Sequence, residues 1–195
     1  MERFRQVREN LEKHDFRTSC FETAGEAVSY LREKLHGRSI GFGGSSSILQ
    51  IGLYDALAAD NRINWQWLGD PRRDSALTEV FICSANAVSE TGEIVNIDGT
   101  GDRVASTLFG HDELYLIVGR NKLEPTLEDA IRRARNVAAP KNAERYGSKT
   151  PCLAAHRCLD CKSPERLCRT MNILFRKTYG IGTAEIILID EDLGF

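Results

Sequence analysis

Long apolar runs are missing from this chain. No stretch of its 195 residues approaches the roughly 20 consecutive apolar positions of a bilayer-crossing helix, which excludes a transmembrane protein. A surplus of either charge is missing too: 26 Lys and Arg stand against 28 Asp and Glu, for a formal net charge of -2. Proteins that neutralise a phosphate backbone concentrate positive charge, so general nucleic-acid binding is excluded as well. The first residues, MERFRQVRENLEKHDF, alternate charged and apolar positions and lack the apolar block of a secretory signal. A cytoplasmic protein is expected. There is no internal repeat, low-complexity tract or long linker, and 42% hydrophobic residues suffice for one core, so residues 1–195 are expected to form one domain.

What is present alternates between strand and helix patterns. Phe4, Val7 and Leu11 mark an amphipathic helix over residues 1–13, and residues 16–21 can form a strand. A helix is expected over 24–36, ended by Gly37, and the run RSIGFGG is a short strand entering a glycine–serine loop. A further helix carries Ile48, Ile51, Leu53 and Leu57, and 63–68 is a plausible strand. EVFICS (79–84) and LYLIV (114–118) are nearly continuous apolar runs, as parallel strands buried on both faces require. A strand is also expected at 93–97, a helix at 103–109 and a helix at 126–139 ended by Pro140. Residues 147–168 show little periodicity and suggest an irregular cysteine-rich insertion, with closing strands at 173–177 and 184–189. The pattern predicts an α/β domain with a largely parallel sheet and helices on both faces.

Two loops invite a small anionic ligand. Gly41-Phe42-Gly43-Gly44-Ser45-Ser46-Ser47 joins a strand to a helix, and here Gly43, Gly44, Ser45 and Ser46 could approach an anion through main-chain N–H groups and hydroxyls. It is neither GxGxxG nor a P-loop, and a serine-capped turn is the alternative. The second loop offers Asn96, Asp98, Gly99, Thr100, Gly101 and Arg103, with the arginine suited to a carboxylate or phosphate. Its alternative is a capped turn with a surface ion pair. Ligands of open α/β sheets bind at the carboxyl ends of the strands, where both loops are expected. Between them, Glu90 sits in a loop between two expected central strands, where a carboxylate could serve as base or nucleophile; a solvated turn glutamate is the alternative.

Four of the six cysteines, Cys152, Cys158, Cys161 and Cys168, fall within 17 residues, with gaps of five, two and six residues. In a reducing compartment, clustered thiols point to a metal site before a disulfide framework. Only one C-x-x-C is present, so neither the paired zinc-ribbon pattern nor the compact ferredoxin run is matched, and zinc, an iron–sulfur cluster and free or disulfide-bonded thiols stay open. His156 lies inside the same loop and is an alternative ligand. Cys20 and Cys83 lie in apolar strands and are expected in the core. Leu159, Leu167 and Phe195 could form an apolar edge for a homo-oligomer.

The segments SANAVSETGEIVNIDGTGDRVASTLFG, VGRNKLEPTLEDAIRRARNVAAPKNAERY, TPC with CLDCKSPERLC, and IDEDLGF resemble the LUD (lactate utilisation) domain family, in particular its short stand-alone members. The resemblance covers roughly residues 20 to 195, the GFGGSSS loop included. It implies the fold shared by ribose-5-phosphate isomerases, glucosamine-6-phosphate deaminases and CoA-transferases. It also implies a part in bacterial oxidation of L-lactate to pyruvate, alongside iron–sulfur partner proteins. Glu90 is similar in position to the glutamate of the CoA-transferase SENG motif, with Thr91 where that motif has Asn. Three functions follow as expectations: a lactate-utilisation component binding a small anion, a transferase or isomerase using Glu90 on a phosphorylated or CoA-linked substrate, and a non-enzymatic module stapled by metal.

Overall fold

Strands form where the apolar runs are densest, and they collect in one sheet. The computed structural model describes residues 2–195. After helix α1 (Arg5–Lys13), the chain alternates β1 (Arg17–Phe21), α2 (Ala24–Lys34), β2 (Ser39–Phe42), α3 (Ser46–Gln50), α4 (Leu53–Ala58), β3 (Arg62–Trp65), α5 (Arg72–Ser75) and β4 (Val80–Ser84). It continues through β5 (Ala87–Ser89), β6 (Ile94–Asp98), α6 (Asp102–Ser106), β7 (Glu113–Gly119), β8 (Leu123–Glu124), α7 (Leu127–Arg133), α8 (Ala139–Arg145), α9 (Pro151–Ala155), β9 (Thr170–Leu174) and β10 (Thr183–Ile189). Six strands make a fully parallel sheet in the order β1-β10-β7-β4-β2-β3. The α/β reading of the sequence holds.

The remaining strands depart from it. β8, β5, β6 and β9 form a separate mixed sheet, in which β6 runs antiparallel to both β5 and β9. The expected strand at 93–97 and the first closing strand therefore belong to a second layer. The two faces of the large sheet are covered differently as a result. On one, Ala27 and Leu31 of α2 pack with Ile48, Leu53 and Leu57 of α3 and α4 against Ile40, Phe42, Ile82 and Ile117. On the other, Phe4, Val7 and Leu11 pack with Val88, Ile94 and Leu174 of the small sheet against Phe81, Leu116 and Leu188. Ala130 of α7 and Ala134 immediately after it cover the far side of the small sheet. Helices α2, α3 and α4 lie on one face of the large sheet, while the small sheet together with helices α1 and α5 covers the other, so helices flank both faces.

Three local details differ from the periodicity. The helix expected after the serine loop is broken into α3 and α4 at Gly52, whose φ of 65° is the left-handed conformation that glycine adopts without a Cβ penalty. Pro140 does not end its helix. A π-helical turn at Ala134–Ala138 joins α7 to α8, and Pro140 falls in the first turn of α8, where its missing N–H costs little. The cysteine-rich segment holds the single-turn α9 and is otherwise irregular up to β9. No helix among the described residues is long and apolar enough to cross a membrane.

Candidate functional site

The order of the large sheet creates one switch point. From β2 the chain moves outward to β3, whereas from β4 it moves the other way toward β7 and β10, so the loops leaving β2 and β4 diverge. Crevices of this kind, at the carboxyl ends of parallel strands, are where open α/β sheets bind ligands. A cleft open to solvent lies there. Gly44, Ser45, Ser46 and Ser47 line it from the end of β2, Ser84, Ala85 and Asn86 from the end of β4, and Ile97, Asp98, Gly99 and Thr100 from the end of β6.

The most consequential lining residue, Lys122, was not singled out from the sequence. It follows β7 in GRNK, and its ammonium donates to Ser47 Oγ at 2.7 Å and to Ser84 Oγ at 2.6 Å. Ser84 Oγ in turn donates to the Ile117 carbonyl at 2.6 Å, which fixes it as an acceptor for the lysine. Lys122 is only 3% exposed, and burial, together with the nearby Arg133 and Arg103 guanidinium groups, lowers its pKa from 10.5 to about 7. A lysine poised at neutral pH in a cleft can hold an anion when protonated, or act as base or nucleophile when neutral.

Both loops carry the capped turns that their sequence offers as the alternative to anion binding. Ser45 Oγ accepts the Ile48 N–H and caps α3, which is a single turn. Gly43 is required by packing: a Cβ there would stand 2.8 Å from Cys83 Cβ and 3.1 Å from Arg103 Cγ. A Cβ on Gly44 would come within 3.0 Å of the Trp67 ring nitrogen. In the second loop, Asp98 itself accepts the Gly99, Thr100 and Val104 N–H groups, so a carboxylate of the protein already fills the place expected for a ligand. Gly99 makes room for the cysteine segment, since a Cβ would fall 2.6 Å from the Leu167 carbonyl oxygen. Gly101 begins α6 with φ at 91°.

Arg103 is committed in the same way. It donates to Ser84 O at 3.0 Å, Asn96 Oδ1 at 2.6 Å, Asn86 Oδ1 at 3.2 Å and Ile97 O at 2.5 Å. These bonds tie the end of β4 to β6, with Asn96 fully buried beneath. Arg103 is thus a positioning residue for the cleft, not the open anion clamp its sequence context suggested. Arg133 ties loops together in the same way behind Lys122, donating to Asn121 O, Asn86 O and the main-chain oxygen of Phe195. The closing segment IDEDLGF is held there, and its Leu193 carbonyl faces Ser47. Two further arginines line the mouth. Arg72 lies 3.5 Å from Asp102, and Arg145 lies over Trp67 at 4.5 Å. Burial and the neighbouring Asp98 raise the pKa of Asp102.

Glu90 is not brought to this cleft. It sits on the β5–β6 turn beside α1, where its N–H donates to Glu124 O and its carbonyl accepts from Asn10 Nδ2, both at 2.7 Å. Of the expected apolar edge, Leu167 and Phe195 line the cleft, and Leu159 is exposed. Cys83 is wholly buried and its pKa is pushed up to about 12 by burial, so it is an inert core thiol. Cys20 is half-buried against the same core. Cys152, Cys158, Cys161 and Cys168 all line a second, smaller pocket behind α8. Among the described residues, no three His, Cys, Asp or Glu side chains converge as they would around a single metal ion.

The packing role of Gly43 makes a test of this layout. Gly43→Ala should cost about 1–3 kcal/mol, because the new methyl must displace Cys83 or Arg103 in a packed interior. Urea unfolding would measure it, and a variant as stable as the parent would mean the loop has room to spare.

A parallel six-stranded sheet with a switch-point cleft lined by a buried lysine and by Arg72 and Arg145 defines the class: an open α/β domain. The chain belongs to the LUD domain family, whose pattern it matches over residues 4–189. Among solved structures it is similar to a DUF162 family protein from Deinococcus radiodurans, with a TM-score of 0.60 and 13% identity over 96% of each chain, a likeness of fold. Ribose 5 phosphate isomerase A from Neisseria gonorrhoeae is similar at 16% identity over 53% of this chain and 52% of that one; its TM-score of 0.34 carries no argument. A comparison with curated proteins gives no match.

Proposed function

We propose that the protein serves lactate utilisation by holding a small carboxylate, lactate or pyruvate, in the switch-point cleft, in company with an iron–sulfur partner protein. The observation that carries this reading is Lys122, a buried cation lining the cleft in a chain of the LUD domain family. Ser47 and Ser84 take two of the ammonium hydrogens, and the third remains for a ligand oxygen. In its neutral form the same amine can accept a proton from a hydroxyl beside the carboxylate.

A second reading is favoured by Arg72 and Arg145, which line the cleft: a phosphorylated or CoA-linked ligand extending outward from Lys122. In that reading Lys122, and not Glu90, carries any chemistry in the cleft. Calorimetric titration at a pH below 7 with L-lactate, pyruvate, ribose 5-phosphate and CoA separates the two. Saturable binding of lactate or pyruvate alone supports the first, and binding of the larger ligands alone supports the second. No binding by any of the four would remove both.

A further inference from the structure

The second pocket gathers all four clustered cysteines, although the rest of α9 and the turn after it separate Cys152 from Cys158. Its remaining wall is apolar, from Ala139, Pro140 and Ala143, apart from Arg135, Arg166 and a few other polar groups. Two features suit thiolates in particular. Cys158 Sγ accepts the Asp160 N–H at 3.4 Å and an Arg135 guanidinium N–H at 3.5 Å, so its negative charge would be stabilised by donors already in place. Arg166 holds the loop in shape by donating to the carbonyls of Cys161 and Cys168, each at 2.8 Å. Hydrogen bonds to sulfur and nearby cations are the means by which proteins hold thiolate-ligated centres.

The spacing of the thiols selects among such centres. Four thiolates on one zinc would touch one another, at about 3.8 Å for zinc–sulfur bonds of about 2.3 Å. Here the thiols are spread over the wall of one pocket and do not converge on a point. An iron–sulfur cluster brings its own inorganic core, so its cysteine ligands stand apart around it. We propose that Cys152, Cys158, Cys161 and Cys168 ligate one [4Fe–4S] cluster in this pocket. The pocket shares Ala139, Leu167 and Cys168 with the switch-point cleft, so the two sites adjoin. The assignment rests on the thiols alone and does not depend on what the cleft binds.

Anaerobic reconstitution of the full chain with ferrous iron and sulfide tests it. About four irons and about four sulfides per chain are expected, with a broad absorption band near roughly 400 nm. Serine at any of the four positions should remove most of that band, whereas Cys20→Ser and Cys83→Ala should keep it. Circular dichroism of each variant before reconstitution separates a lost ligand from a lost fold. Iron no higher than in a chain with all four cysteines replaced would overturn the proposal. So would one zinc bound by these thiols, or a disulfide among them in protein purified without oxygen.

Discussion

Lys122→Met is expected to weaken carboxylate binding about 100-fold, roughly 3 kcal/mol, the scale of a lost charge-assisted hydrogen bond in a buried site. Calorimetric titration of parent and variant would measure it. The pH dependence is the sharper check. Only protonated Lys122 attracts an anion, so affinity in the parent should fall as pH rises through about 7, and the variant should lack that fall. Stability should move the opposite way. Between about 7 and 10.5 the unfolded lysine is protonated while the folded one has lost its proton, so the unfolded state binds more protons and stability rises with pH. Below about 7 the folded protein carries a desolvated charge that methionine does not. The variant should therefore gain most over the parent in acid, with the gap closing toward pH 10.5. Parallel stability curves for the two proteins would show that Lys122 titrates as an ordinary exposed lysine.

Why the sequence conceals this lysine is physical. Charged residues after a buried strand are usually solvated, and nothing in GRNK distinguishes a lysine turned inward from one turned outward. Its burial depends on Ser47 and Ser84, which come from loops far apart in the chain. The parallel sheet was legible because LYLIV and EVFICS are apolar on both faces, as only central strands need to be. The second sheet was not, because β5 and β8 are three and two residues long and carry no periodic signal. Glu90 is adjacent in sequence to β5 and β6, but both strands belong to the small sheet, so that adjacency does not bring it to the large sheet. The glycine loops border the cleft, while the physical need for Gly43, Gly44 and Gly99 is close packing of the protein against itself. The cysteine spacing pointed to a shared site, but the donors Arg135 and Arg166 become its neighbours only through the fold.

Arg103→Ala should be among the most destabilising single changes in the cleft, at about 3–4 kcal/mol. The side chain is 12% exposed and its guanidinium spans four acceptors on the ends of β4 and β6. Removing it strands the carbonyls of Ser84 and Ile97. The Asn96 amide, whose buried nitrogen already has no partner, loses its shortest bond. Arg103→Lys should recover less than half of the loss, because one ammonium cannot reach acceptors that a planar fork spans together. Urea unfolding of the three proteins gives the comparison directly. An arginine serving mainly as a ligand clamp would show the reverse pattern: both variants nearly as stable as the parent, with binding alone impaired. A loss below about 1 kcal/mol for Arg103→Ala would therefore return Arg103 to the role its sequence suggested.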